Sequence, residues 1–358
     1  MDRAPAAATG TPPRTSTGTG TDTSTRTGAT TGPPAPPLRP GLRTRAAAWA
    51  AGLLLAVPAA VAGCRALGTD GVTPLPQLLS FLPWLTVPAG LGLLCAGLAR
   101  RRGLAFLAVL VLTGTVWASL PYTPLSAVTH GLPVARVRVI AANVEFGQAT
   151  GALIDLARRE RPQLLFVSEC DPACGRRLTA ALSRQLPHRV AVEAEGSAGS
   201  VLLSAHPLRD RAVVPSVMGM PGATADIAGR PVRLQLAHPM PPVPGQVRLW
   251  KDELGRLRDA VAARPAGEEL ILAGDFNASQ DHAAFRSLLD AGPFLDAART
   301  TGDSHAPTWP AEGPLPAFVQ IDHVLSSPGL LAAATRFLPL AGSDHRAVLA
   351  DLDLHDGR

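Results

Sequence analysis

Three long apolar stretches, at roughly 46–64, 75–99 and 103–121, contain no charged residue. Each is close to the ~20 residues that a helix needs to cross the hydrocarbon core of a bilayer. Proline inside such a stretch counts less against a helix than it would in water. Buried helices of a water-soluble protein are the alternative, but three in succession, joined by short polar links, favour a membrane. Residues 43–122 are therefore expected to form three transmembrane helices. A transporter is set aside, because no charged side chain within them marks a path.

Arginines give an orientation. Arg39, Arg43 and Arg45 precede the first stretch, and Arg100, Arg101 and Arg102 separate the second from the third. The first link holds only Arg65, against Asp70. The positive-inside rule places the N-terminus and the Arg triplet in the cytoplasm, so three crossings deliver the rest of the chain outside a cell membrane. Of the first 40 residues, eleven are Thr, eight Pro and five Gly. Such a segment supplies no core, and 1–42 reads as a disordered cytoplasmic tail.

The formal charge of +5 is unevenly spread: residues 1–121 hold ten Arg and three Asp, whereas 122–358 hold 23 Lys or Arg against 25 Asp or Glu. The C-terminal part thus lacks the positive excess of a strong nucleic-acid binder, although a nuclease remains compatible. Cys64 and Cys95 lie in apolar stretches and read as small buried hydrophobes. Cys170 and Cys174 either close a small loop in an oxidising space or remain two free thiols; a zinc site lacks further ligands nearby.

From about 132 the pattern changes. "VARVRVIAANVEF", "PQLLFVSE", "GSVLLSAHPL", "RPVRLQLAHP", "EELILAGDFN", "AFVQIDHVLS" and "RAVLADLDL" read as strands, and 150–160, 172–186, 246–264 and 281–291 as helices. Residues 132–356 are expected to form one mixed α/β domain with a substantial core. The segment 213–229 is either a specificity loop or a flexible hairpin. Most of the strands end in polar residues of one kind: Asn143 and Glu145, Glu169, His238, Asp275 and Asn277, Asp322 and His323, and Asp344 with His345. Carboxylates, amides and imidazoles at so many strand ends suggest one rim holding one site. Their chemistry suits a phosphodiester, whose non-bridging oxygens call for a hard divalent cation with oxygen ligands.

The pieces "ANVEFG", "LLFVSE", "SVLLSAHPL", "LAHPMPP", "GDFNAS", "PTWP", "IDHVL" and "SDHRAVLA" stand in this order. In them the chain from about 133 to 354 resembles the endonuclease/exonuclease/phosphatase superfamily, which includes deoxyribonuclease I, abasic-site endonucleases, sphingomyelinases and inositol-polyphosphate 5-phosphatases. "GDFN" is moderately specific; followed by "IDH" and "SDH" at suitable distances it is strong. The resemblance implies a two-sheet α/β sandwich, deoxyribonuclease I-like, with helices outside and the site at one end, behind the N-terminal transmembrane helical region. It implies Mg²⁺, with Mn²⁺ as a substitute, held by Glu169 with help from Asn143, Glu145 and Asp344. Asp275 would orient or deprotonate the attacking water, and Asn277 would hydrogen-bond a phosphate oxygen. His345 would sit at the phosphate with its tautomer fixed by Asp322. His238 would donate a proton toward the leaving group or bind phosphate. His323 and the Thr308–Trp309 pair fall near the site, with packing as the alternative role. His188, His206, His282 and His305 match no catalytic position and default to surface or loop roles.

The expected function is a membrane-anchored, divalent-metal-dependent phosphoesterase that hydrolyses phosphodiester bonds, nuclease-like in the first instance. Cleavage of phospholipid or another small phosphoester is the alternative, and an inactive membrane-tethered scaffold the third reading. The expected partners are the phosphodiester substrate, nucleic acid or lipid headgroup, and the lipid bilayer; no obligate protein partner is implied.

Overall fold

The apolar stretches fold as helices. In the computed structural model, which describes residues 41–122, 131–265, 267–313 and 317–356, α1 (Leu42–Ala66) takes up the first stretch. Nearly all of the Thr/Pro/Gly-rich tail lies outside the described residues. The second stretch is divided into α2 (Leu75–Leu79), a 3-10 turn at Leu82–Leu85 and α3 (Thr86–Leu98), and α4 (Arg102–Ala118) follows. The division comes at Ser80–Phe81, where Pro83 has no N–H to donate to the Leu79 carbonyl. Among the described residues only α1, with 25 residues, is long and apolar enough to cross a membrane; Leu82–Leu98 and Arg102–Ala118 are apolar but shorter.

These helices pack through small residues. Ala51 and Leu55 of α1 meet Ala89 and Ala96 of α3 and Ala108 of α4 in one buried cluster. Many of their large side chains point outward: of 24 exposed large hydrophobic residues described, 18 lie between Leu42 and Leu120.

The remainder is a four-layer α/β/β/α sandwich built from period-two strands. Its elements are β1 (Pro133–Asn143), α5 (Thr150–Glu160), β2 (Leu164–Ser168), α6 (Pro172–Leu182), β3 (His188–Val192), β4 (Ser200–Ser204), β5 (Leu208–Val214), β6 (Met220–Ile227), β7 (Arg230–Ala237) and α7 (Val247–Ala262). Then come β8 (Glu269–Asp275), α8 (Ala283–Asp290), β9 (Leu295–Asp296), α9 (Ala297–Thr300), β10 (Asp322–Ser326), β11 (Leu330–Leu338) and β12 (Ala347–His355). One sheet has the order β11-β12-β1-β2-β4-β3 and the other β5-β6-β7-β8-β10-β9. Val137, Val139 and Ala141 of β1 face Val232, Leu234, Ile271 and Ala273 of the second sheet in the shared core. The alternate residues Ile140 and Ala142 turn outward under α5 and α6, and Leu270 and Leu272 do the same under α7 and α8. Residues 213–229 belong mainly to the β5–β6 hairpin and are part of the sheet.

The topology gathers the polar strand ends. β1 runs parallel to β2, and β7 parallel to β8, so four carboxyl ends share one rim. β10 and β12 run antiparallel to β8 and β1, bringing their amino ends to that same rim.

The connector between α1 and α3 docks on this domain. The buried carboxylate of Asp70 accepts the Ala283 and Ala284 N–H groups at 2.6 and 3.1 Å, capping α8 from outside its own segment. Lys251 donates to the Gly71 carbonyl at 3.0 Å, Gln77 to that of Pro242, and the Trp84 indole to that of Phe318 at 2.9 Å. His282, expected in a surface or loop role, does stand in the loop before α8 but is fully buried: its Nδ1 accepts from Ser279 N–H and its Nε2 donates to the Pro76 carbonyl at 2.7 Å. The connector packed over it accounts for the difference.

Candidate active site

Gly274 shows how tightly the rim is drawn. At φ +145° its Cα lies so close to β7 that a Cβ would stand 2.2 Å from the Ala237 carbonyl oxygen, a space only glycine leaves open. The next residue, Asp275, closes β8 opposite Asp322, the first residue of β10. Glu145, Glu169 and Asn277 all adopt positive φ, at 44°, 57° and 48°. Left-handed backbone costs glutamate more than asparagine, and such positions cluster at functional sites.

Asn143 ends β1 and is buried. Its Nδ2 donates to Glu169 Oε1 at 3.1 Å and to Asp275 Oδ2 at 3.2 Å, while its Oδ1 accepts from Glu145 N–H at 3.0 Å. It therefore ties two carboxylates together and, in this arrangement, turns its amide nitrogen rather than its oxygen toward them. Glu169 Oε2 also accepts from Phe146 N–H at 3.2 Å. Asp275 Oδ1 accepts from Asn277 N–H at 2.8 Å, and the Asn277 side chain donates to the Pro239 carbonyl at 3.0 Å.

His345 faces this group. Its Nδ1 lies 2.9 Å from Asp322 Oδ2, and its Nε2 lies 3.8 Å from Asp275 Oδ2 and 3.7 Å from Asp344 Oδ1. Burial works against its charged form, but the Asp322 and Asp275 carboxylates prevail and push the imidazole up to about 10. Burial raises the Asp275 carboxyl above the usual carboxylate range, with the His345 charge acting the other way. His238, beyond β7, is buried with Nε2 3.9 Å from Glu169 Oε1 and 4.0 Å from Asp275 Oδ2. Burial, then the nearby His345 charge, lowers it to about 3, so this ring is neutral. Among the described residues neither of its nitrogens has a hydrogen-bond partner, nor does Asp322 Oδ1.

Asp344 and Glu145 stand at the edge. Asp344 Oδ2 accepts the Trp309 indole N–H at 2.9 Å, and its backbone N–H donates to Glu145 Oε2 at 2.8 Å. Thr308 Oγ1 accepts the Ile321 and Asp322 N–H groups, so the Thr308–Trp309 pair braces Asp322 and Asp344. The structure thus draws Asn143, Glu169, His238, Asp275, Asp322 and His345 together, with Asn277, Asp344 and Glu145 adjoining. His323 points away: its nitrogens lie 2.8 Å from Asp296 Oδ2 and 3.0 Å from the Ala278 carbonyl, and its ring packs on Phe276 and Phe285.

Asp275, Asp322 and His345 each offer an atom within 4.8 Å of the others. The Nδ1 of His345 is engaged with Asp322 at 2.9 Å while its Nε2 faces Asp275, so this trio reads as a carboxylate–imidazole relay. The carboxylates of Glu169 and Asp275 are hard oxygen donors of the kind a divalent cation takes, with the His345 charge 3.8 Å from Asp275 on one side.

Several supporting residues escape a reading of the sequence. Ser343 donates to the Asn143 carbonyl at 2.8 Å and accepts from His345 N–H at 3.0 Å, bridging two site residues. Glu253 of α7, fully buried, accepts the Val217 and Met240 N–H groups, each at 2.7 Å, and so fixes two loops at the site. Cys170, next to Glu169, forms a disulfide with Cys174, which resolves that alternative. Cys64 and Cys95 are free and half-buried. The site opens into a cleft of about 510 Å³ that includes Glu169, His238, Asp275, Asn277, Asp344 and His345.

Known structures share this architecture. D. rerio TDP2, complexed with single-strand DNA product, superposes with a TM-score of 0.53 at 14% identity, over 61% of this chain and 99% of that one. An endonuclease/exonuclease/phosphatase from Bacteroides vulgatus gives 0.51 at 15% identity, over 62% and 100%. The 3′ phosphatase NExo from Neisseria, bound to product DNA hairpin, gives 0.50 at 19% identity, over 61% and 99%. No curated protein matches the sequence. The model of the Endonuclease/Exonuclease/phosphatase family matches residues 140–345, more than half of the chain and all the rim residues described above, and the chain belongs to that family.

Proposed function

We propose that the chain is a membrane-tethered, divalent-metal-dependent hydrolase of phosphoesters whose catalytic domain lies outside the cell membrane. The observation that carries the reaction is Asp275 set 3.8 Å from a His345 that Asp322 holds in place. Glu169 would hold Mg²⁺ or Mn²⁺, with Glu145, Asp344 and Asn143 at its flanks. The bound ion would neutralise charge on a non-bridging phosphoryl oxygen. Asp275 accepts a proton from the attacking water as the water oxygen bonds to phosphorus. The P–O ester bond opposite breaks, and the departing oxygen is protonated from solvent. His345, cationic, faces the charge that builds on the phosphoryl oxygens. Neutral His238 and the Asn277 amide supply hydrogen-bond donors to the same oxygens.

The outward apolar faces of α1, α3 and α4 support the tether. Arg45 and Arg101 line one depression at the helix ends remote from the docked connector, which agrees with the positive-inside orientation. The Cys170–Cys174 disulfide suits an oxidising compartment. DNA accompanies two of the structural relatives, and with the family motifs it supports a nuclease-like activity. If Glu169 carries the ion, chelation abolishes turnover, and Glu169→Gln raises the Mg²⁺ concentration for half-maximal rate by about tenfold or more. An unchanged Mg²⁺ requirement in that variant would remove Glu169 from the metal site.

A further inference from the structure

We infer that the substrate is an amphiphile taken from the bilayer, a phosphoester whose long apolar tail lies along a wall partly built by the α1–α3 connector. This rests on the hydrolase reading above and narrows it. Three observations meet at the cleft. Its reacting end is polar, but much of the rest is lined by Phe81, Phe146, Met218, Met240, Val243 and Ile321, and among the described residues no Lys or Arg contributes. A nucleic-acid backbone binds through neutralisation of successive phosphates by Lys and Arg, and this cleft offers none.

Gln77, Ser80 and Phe81 of the connector form part of the lining themselves. Phe81 packs against Phe318 with ring centroids 5.2 Å apart, and the neighbouring Gln77 and Trp84 are hydrogen-bonded to the domain. The segment that joins two apolar helices is therefore also a wall of the reaction cleft.

Phe146 and Val243 expose 55% and 44% of their surface while lining the same cleft. An apolar tail reaching the phosphoryl site from beside α1 and α3 meets apolar surface and need not cross open water. The connector, held between helix ends and Asp275, sets the height of the reacting phosphorus above the bilayer.

Two esters with the same reacting diester test this: p-nitrophenyl hexadecyl phosphate and p-nitrophenyl methyl phosphate, given with Mg²⁺ to the full chain in phosphatidylcholine vesicles. In each, water attacks phosphorus, the aryl P–O bond breaks and p-nitrophenolate is released. The expected kcat/KM for the hexadecyl ester exceeds that for the methyl ester by about tenfold or more, since local concentration and tail burial both favour it. Phe81→Ser should cut that ratio about fivefold, separating tail contact from simple enrichment in the bilayer. Val243→Ser, at an exposed position on the other wall, should move it in the same direction and guards against misfolding of the first variant. Methyl ester cleaved as well as hexadecyl ester, or a ratio untouched by both variants, overturns the amphiphile while leaving the hydrolase. Faster cleavage of a single-stranded oligonucleotide than of the hexadecyl ester would do the same. No cleavage of either ester would remove the hydrolase reading, and this inference with it.

Discussion

His345 illustrates how single residues make the rim reactive. A buried imidazole would ordinarily lose its proton, but Asp322 at 2.9 Å and Asp275 at 3.8 Å hold the charge in place. In the metal-free chain, His345 should therefore stay protonated until pH approaches about 10. Asp322→Asn removes the carboxylate of greatest effect, so the midpoint should fall by about two units. Turnover should drop about a hundredfold as orientation and charge are lost. Imidazole NMR across pH reads the first effect directly, and an unmoved midpoint would refute the relay. The rim residues were legible because each is a chemically distinctive side chain at the end of an apolar run. Ser343 and Glu253 were not, because their partners are backbone groups remote in sequence; Glu253 reaches Val217, 36 positions away. Asn143 was legible as a member of the site, while the direction of its amide is set by the carboxylates of Glu169 and Asp275, which sequence does not place.

At the scale of elements, α8 shows a helix whose start is completed from elsewhere. His282 at its N-cap gives no side-chain cap, and Asp70 of the connector supplies one by accepting two N–H groups. Asp70→Ala should cost about 1–2 kcal/mol, read as a lower thermal midpoint of the full chain, and Asp70→Asn should retain most of it. A midpoint unchanged in Asp70→Ala would mean that the docked connector contributes nothing to the domain. The four main helices of the domain follow their apolar spacing to within a few residues. Strands were harder: β5, "LRDRAVV", exposes most of its side chains at a sheet edge, so no apolar alternation marks it. β11, "LLAAATRFL", lacks strict alternation because a bulge interrupts its pairing at Ala332–Ala334. The second apolar stretch looked continuous, yet Pro83 and docking on the domain divide it.

At the scale of the molecule, a family sandwich and an apolar helical region are joined through one shared wall. The sandwich class was legible, since its motif order fixes which strand ends meet; the docked connector was not, because contacts such as Gln77 with Pro242 span 165 positions. The orientation argued from arginines predicts that a cytoplasm-dependent reporter fused after Arg358 is inactive, and an active one would invert the topology. The central claim is that the rim hydrolyses phosphoesters with a divalent ion. It is tested most directly by the rate of bis-p-nitrophenyl phosphate hydrolysis by the full chain in detergent, with Mg²⁺ or Mn²⁺ and then with chelator, beside Asp275→Ala and His345→Ala. The account predicts metal-dependent release of p-nitrophenolate that falls by about a thousandfold in either variant. Hydrolysis that survives chelator, or that persists in both variants, would contradict it.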